Sequence, residues 1–219
     1  MNKTIWMCWF QGEENFKPLN KKCVDRWKSL NSDWEINILN DETISNYTPE
    51  YIKILKESPK RTAQARSDLL RILLLSKYGG VWVDVSVYPM QPLSDFYSEV
   101  VNDTGFFTYR FFDRSFTRGG DRETVSWFLC TDKAHHPLIE KWKTNFIDKF
   151  KSKDVWKFYT FHETLTHLYD NDTQIQYILD NMIQIDQAIP HSALKDWKDR
   201  KDSFVYKRPD FETFMNDGE

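Results

Sequence analysis

Glycine is scarce in this 219-residue chain: there are seven, four of them in the doublets Gly79-Gly80 and Gly119-Gly120. Glycine-rich phosphate loops of the GxxxxGK[ST] and GxGxxG types are absent, which argues against P-loop and dinucleotide cofactor sites. No GxSxG nucleophile elbow occurs either. Cysteine is equally sparse. Cys8, Cys23 and Cys130 are odd in number, far apart and without zinc spacing, so they read as buried thiols in a reducing compartment. Basic residues are not in excess. Lys and Arg number 30 against 33 Asp and Glu, a formal charge of -3, which argues against a partner tracked along a nucleic-acid backbone. No uncharged stretch approaches the ~18 apolar residues of a membrane span, and the N-terminus lacks the small-residue cleavage site of a signal peptide. His135-His136 and the pair His162 and His167 match no metal-ligand pattern and read as structural. The expectation is one soluble, cytoplasmic domain over residues 1–219.

What the chain does have is aromatic bulk: 9 Trp, 16 Phe and 10 Tyr, or 16% of residues, with 40% hydrophobic and 29% charged overall. That is a globular balance, and a chain this long buries roughly 70% of its unfolded surface without needing staples. Residues 4–10 (TIWMCWF) form an apolar, β-favouring run. Residues 18–30 place Leu19, Cys23, Trp27 and Leu30 at helical spacing, and residues 34–39 (WEINIL) alternate as a second strand. Asp41 follows as a candidate helix cap. The strongest helix is expected over residues 61–78, apolar nearly all round in its second half and stopped by Gly79-Gly80. VWVDVSVYP then reads as one strand, with Val81, Val83, Val85 and Val87 on one face and Trp82, Asp84, Ser86 and Tyr88 on the other. Further strands are expected over 105–112 and 126–131, and helices over 138–150, 155–169 and 173–181. This order implies an α/β fold: an open sheet flanked by helices, with a helical C-terminal part.

Three groups of residues stand out as carriers of chemistry. Asp84 interrupts an uncharged stretch in a strand expected to be central. A carboxylate there is paired inside, or sits where the strand emerges into a cleft, with Ser86 as its neighbour on the same face. Asp68 and Arg71 lie three apart on a helix whose surroundings are leucine and isoleucine. They read either as an ordinary ion pair or as a polar pocket in an apolar wall. Arg110, Arg114, Arg118 and Arg122 surround the second glycine doublet, as an anion clamp and lid or as a solvated loop paired with Asp113, Asp121 and Glu123.

At ARSDLLRILLLSKYGGVWVDVSV, residues 65–87, the chain resembles the capsular-polysaccharide-synthesis and DXD sugar-binding glycosyltransferases. Their pattern is a helix with Ser-Asp-x-x-Arg, a Tyr-Gly-Gly turn, and a strand ending in Asp-x-Asp. IWMCWFQG is similar to the family's first strand, and WFLCTDKAHHPLIEKW to a later strand and helix. The resemblance implies a GT-A fold, with a Rossmann-like, mixed but mainly parallel sheet between helices. Residues 1–93 would bind a nucleotide-sugar and residues 94–219 face the acceptor. It implies transfer of a sugar with retention, from a donor such as a UDP-sugar, to a cell-surface polysaccharide or lipid-linked oligosaccharide of bacterial type.

By the same resemblance, Trp9 stacks on the donor base and Gln11 lies beside it. Asp68 and Arg71 hold the donor sugar, and Asp84 is the first acid of the DXD motif. Ser86 stands where the second acid is expected, which weakens the site for Mn2+ or Mg2+ on the diphosphate. FVYKR, near the end of the chain, matches a pattern that makes Lys207 a diphosphate contact. Charge on the leaving diphosphate must be neutralised by a metal or by cationic side chains. Contact with a membrane-held acceptor would be peripheral; the tail carrying Trp197, Lys198, Arg200 and Lys201 reads first as an ordinary surface segment, with that contact or closure over the donor as the alternatives. The rival readings are a non-catalytic nucleotide-sugar- or carbohydrate-binding protein with a decayed metal site, and a nucleotidyltransferase. The latter is disfavoured by the single glycine after the first strand.

Overall fold

The computed structural model describes residues 3–112, 124–186 and 203–207. A strand β1 (Thr4–Cys8) leads through a helix α1 (Pro18–Leu30) to β2 (Glu35–Leu39). Two short helices, α2 (Ile44–Tyr47) and α3 (Pro49–Lys56), precede the long helix α4 (Ala63–Tyr78). Then come β3 (Gly80–Val83), β4 (Val87–Pro89), α5 (Tyr97–Val100), β5 (Phe106–Phe107) and β6 (Phe128–Thr131). Three helices follow, α6 (Pro137–Lys151), α7 (Thr160–Asn171) and α8 (Thr173–Asn181), and β7 (Val205–Lys207) comes last.

The main sheet has the order β2-β1-β3-β6-β5. β1 runs parallel to both β2 and β3, while β6 is antiparallel to β3 and to β5. Four of its five strands therefore point the same way, giving the mixed, mainly parallel sheet expected. β4 and β7 pair antiparallel as a separate two-stranded ribbon.

Period-two side-chain alternation divides the core between the two faces of the sheet. Trp6 and Trp82 point to one face, where α2, α3, α4, α6, α7 and α8 pack. Ile5, Met7, Val81 and Val83 point to the other, against α1 and α5. Helix α4 is buried nearly all round from Leu69 to Ser76, as its composition requires. Thr62 caps it by accepting a hydrogen bond from the Ala65 N–H at 3.2 Å. Gly79 and Gly80 end it at φ 69° and 86° and turn the chain straight into β3. A Cβ on Gly80 would lie 2.4 Å from the Thr4 carbonyl oxygen, so only glycine lets β3 lie against β1 here.

Several expected elements shift. The run VWVDVSVYP is two strands rather than one, because residues 84–86 form a turn closed by Val87 N–H to Asp84 O at 2.9 Å. The break places the Asp84 carboxylate at the end of a strand, whereas in the sheet interior it would face apolar layers. The expected strand over 105–112 contracts to Phe106–Phe107. The helix expected from 155 begins at Thr160, and Val155 is exposed. Asp41 caps nothing. Thr43 precedes α2 without a side-chain cap bond, and Asp41 pairs with Arg66. His135 is exposed, but its neighbour His136 is buried with Nε2 2.9 Å from the Thr104 carbonyl, so the pair is only half a surface turn.

Candidate active site

The carboxyl ends of β1 and β3 open onto a cleft, the position where open α/β sheets bind ligands. Two cavities meet there. One, of about 500 Å³, is lined by Trp9, Gln11, Lys17, Asn20, Ser67 and Ser86 among others. The second, of about 320 Å³, is lined by Asp68, Phe111, Trp127, Phe158, Tyr159 and His162 among others. Gln64, Arg71, Asp84 and Lys207 border both and form their common wall.

Each element delivers its side chain for a local reason. Trp9 follows the last residue of β1, and its indole N–H donates to the Asn15 carbonyl at 3.2 Å, with the ring edge-on to Phe16. The Gln11 carbonyl accepts from the Asn15 side-chain amide at 2.7 Å, tightening the same loop. On α4, Asp68 and Arg71 are one turn apart and nearly fully buried, with Arg71 Nη2 3.3 Å from Asp68 Oδ1. Arg71 also donates to the Ser126 carbonyl at 2.5 Å and to Ser67 Oγ at 3.1 Å, and it lies 5.0 Å over the Trp82 ring. These contacts hold the guanidinium 3.5 Å from Asp84 Oδ1.

Asp84 accepts from the Trp82 indole at 3.0 Å and from Lys207 Nζ at 2.7 Å. Lys207 also donates to Ser86 Oγ at 2.9 Å. The antiparallel β4–β7 ribbon sets this up: it places Lys207 opposite Val87, directly after the Asp84–Ser86 turn.

The two carboxylates differ in proton affinity. Burial is the largest influence on both and raises both. At Asp68 burial wins over the nearby Arg71, with Asp84 adding repulsion, and the carboxyl is pushed up to about 7. At Asp84 the attraction of Lys207 and Arg71, with hydrogen bonds from Lys207 and Trp82, outweighs burial and holds the group below its usual 3.8. One cleft thus holds a carboxylate that stays ionised and a carboxyl that titrates near neutrality.

A resident divalent cation does not fit these residues. In nucleotide sites Mn2+ or Mg2+ is held by one or two carboxylates together with substrate phosphates, and the single carboxylate that the turn offers is already engaged. Both Asp84 oxygens already face donors, and the hydroxyl of Ser86 accepts from Lys207. Among the described residues no group of three or more His, Cys, Asp or Glu side chains is arranged to hold a metal ion.

The structure therefore brings Trp9, Gln11, Asp68, Arg71, Asp84, Ser86 and Lys207 around one cleft. Arg110 is not among them, since its guanidinium is tied to the end of α8 through the Leu179 carbonyl and Asp180. Arg114, Arg118, Arg122, the second glycine doublet and the basic tail lie outside the described residues. Sequence reasoning missed Trp127, Phe158, Tyr159 and His162, which line the second cavity. His162 carries no motif that would have singled it out. Of the three cysteines expected to be buried, Cys23 and Cys130 are, and burial pushes the Cys23 thiol up to about 12; Cys8, at the end of β1, is only half-buried and lines the larger cavity.

A sheet of this order, flanked by helices and with an acidic turn at the end of its central strand, is the GT-A fold of glycosyltransferases. Two solved structures share it over most of their length. The PaToxG glycosyltransferase superposes with a TM-score of 0.52 at 17% identity, covering 93% of this chain and 88% of its own. A glycosyltransferase involved in the glycosylation of the major capsid of PBCV-1 gives 0.53 at 14% identity, covering 93% and 92%. The chain belongs to the capsular polysaccharide synthesis protein family, whose model matches residues 1–208. Similar curated proteins include the O-glycosyltransferase PaGT of Phomopsis amygdali, 23% identical over 177 residues, and the O-glycosyltransferase braB of Annulohypoxylon truncatum, 23% identical over 185. Each match covers 76% of this chain but only 43% and 42% of the relative, so the chain spans less than half the length of these curated relatives. Both relatives are fungal, and the bacterial setting expected from the sequence gains nothing from them.

Proposed function

We propose that this protein is a glycosyltransferase that moves a sugar from a nucleoside-diphosphate sugar to a hydroxyl of a saccharide or glycolipid acceptor. The observation that carries the reading is the meeting of two cavities at a charged wall of Arg71, Asp84 and Lys207. A bond-exchanging enzyme needs two substrates to touch across one set of polar groups, and a binding module needs only one cavity.

In this reading the larger cavity takes the donor. Trp9 offers its aromatic face to the base, for which uracil is the first choice because of the family resemblance, with Gln11 beside it. Asp84, Ser86 and Arg71 contact ribose and sugar, Asp68 faces the same sugar from the second cavity, and Lys207 faces the diphosphate. The aromatic second cavity takes the acceptor, since Trp127, Phe158 and Tyr159 supply flat apolar surfaces for stacking on a sugar ring. The nucleotide-binding half, residues 1–93, supplies most of the donor cavity, while the acceptor side draws on residues 94–219 and Lys207 joins the two. No helix among the described residues is long and apolar enough to cross a membrane.

Transfer breaks the bond between the anomeric carbon and the β-phosphate oxygen, and the electron pair stays on the diphosphate. The acceptor oxygen then bonds to the same face of that carbon, which retains its configuration. The acceptor proton passes to the departing phosphate oxygen, the nearest base on that face. Arg71 and Lys207 stabilise the charge as it develops on the diphosphate.

His162, which lines the acceptor cavity, supports a second reading in which it deprotonates the acceptor and configuration inverts. Proton NMR of the sugar first formed from a panel of UDP-sugars separates the two. Retention gives the donor's own anomer, inversion gives the opposite one, and binding without turnover would move the non-catalytic rival ahead.

A further inference from the structure

Lys207 is held in an unusual way for a lysine. Its side chain is only 6% exposed, it lies on the last described strand, and its ammonium sits inside the turn that closes β3. Burying an ammonium costs several kcal/mol unless it is paired and hydrogen-bonded, so a fold that does it must supply partners. This one does so with the whole β4–β7 ribbon, whose loop residue Phe204 stacks on Phe96 with ring centroids 4.2 Å apart. The result places Nζ 2.7 Å from Asp84 and 2.9 Å from Ser86. Those two positions of the motif are the ones that would hold a divalent cation if both were acids.

The substitution at one position matches the cation at the other. A second carboxylate at 86 would leave two negative charges against one lysine. With a serine, Asp84 and Lys207 balance one to one, with Arg71 3.5 Å away on the other carboxylate oxygen. A divalent ion could enter only by displacing the ammonium from the one carboxylate available.

Building on the donor reading above, we propose that the Lys207 ammonium takes the place of the divalent metal. It binds the diphosphate of the donor directly, and the enzyme therefore uses its nucleotide without Mn2+ or Mg2+. When the bond from the anomeric carbon to the β-phosphate oxygen breaks, the electron pair stays on the diphosphate. Lys207 offsets that charge without giving up a proton, and the proton lost by the acceptor goes to the diphosphate.

The test is calorimetric titration of the full chain with UDP, in metal-stripped buffer with EDTA and again with Mn2+. The parent is expected to bind with affinities within about 3-fold in the two conditions, a difference below one kcal/mol. Lys207→Met, which keeps the buried stem and removes the charge, is expected to weaken binding in EDTA by about 10- to 100-fold, as loss of a charged hydrogen bond does. The double variant Ser86→Asp with Lys207→Met rebuilds the acidic pair and is expected to recover binding only when Mn2+ is present, a rescue that a purely structural lysine would not give. Parent binding that needs Mn2+ would overturn the proposal while leaving the donor reading intact, and this comparison requires no variant to fold. Lys207→Met, folded by circular dichroism and binding as the parent does in EDTA, would also overturn it. No UDP binding in either condition would remove the UDP-donor reading and this proposal with it.

Discussion

Asp68 offers a test in which the structure fixes the sign and sets the scale. Its carboxyl is buried on α4, and Oδ1 has no hydrogen-bond partner among the described residues although Arg71 is 3.3 Å away. Burial lifts it from 3.8 to about 7. A carboxyl raised by folding contributes stability that is fully present below the unfolded value and is lost as pH rises through the folded one. Asp68→Asn keeps the shape and removes the titration. At about 1.4 kcal/mol per pH unit, the parent should lose about 4 kcal/mol relative to the variant between pH 4 and pH 7. The difference should be flat outside that window.

Urea unfolding of both proteins at half-unit steps from pH 4 to pH 9 reads this directly. The constant offset between them reflects the altered contact with Arg71, and only the slope bears on the argument. Asp84 stays ionised through the window because Lys207 and Arg71 offset its burial, so it adds no slope of its own. A flat difference, or a parent that gains on the variant as pH rises, would show that Arg71 outweighs burial and would refute the reasoning.

Two further outcomes are expected. Gly80→Ala puts a Cβ 2.4 Å from the Thr4 carbonyl at φ 86°, and should cost about 1–3 kcal/mol in urea unfolding; an unchanged midpoint would mean the β1–β3 junction yields easily. Trp9→Ala removes the aromatic face of the larger cavity and should weaken UDP binding by about 1–3 kcal/mol, the value of stacking on a base. It should also cost about 1–2 kcal/mol in urea unfolding through the lost contact with Phe16 and the lost bond to the Asn15 carbonyl; unchanged UDP binding by the folded variant would refute the base-stacking role.

Much of this architecture was legible before the structure, and the reasons are local. The valines 81, 83, 85 and 87 do share one core, and the helix through Asp68 and Arg71 ends at the glycine pair as its composition requires. Asp84 was legible because a lone carboxylate in an apolar run demands an explanation. The break in its strand was not, since period-two alternation continues through the turn at 84–86 and hides it. Arg71 reads from sequence as an i,i+3 partner of Asp68, but its bond to the Ser126 carbonyl depends on β6 arriving 55 residues later.

Lys207 was reachable only through resemblance. Its place is set by pairing with β4 across some 120 residues, and no spacing encodes that. The second cavity was invisible for a different reason: Tyr159 and His162 stand at the start of an amphipathic helix whose neighbouring aromatic, Phe161, is core, and the pattern does not separate the two faces.

The central claim is that the cleft around Asp84 transfers sugar from a nucleotide. The most direct measurement is nucleotide release from a panel of UDP-, GDP- and CDP-sugars by the parent and by Asp84→Asn, followed by chromatography. The account predicts that the parent liberates the nucleoside diphosphate from at least one UDP-sugar, and that Asp84→Asn reduces the rate by about 100-fold or more. Nucleotide release from none of the donors, or release at the same rate by the variant, would contradict it.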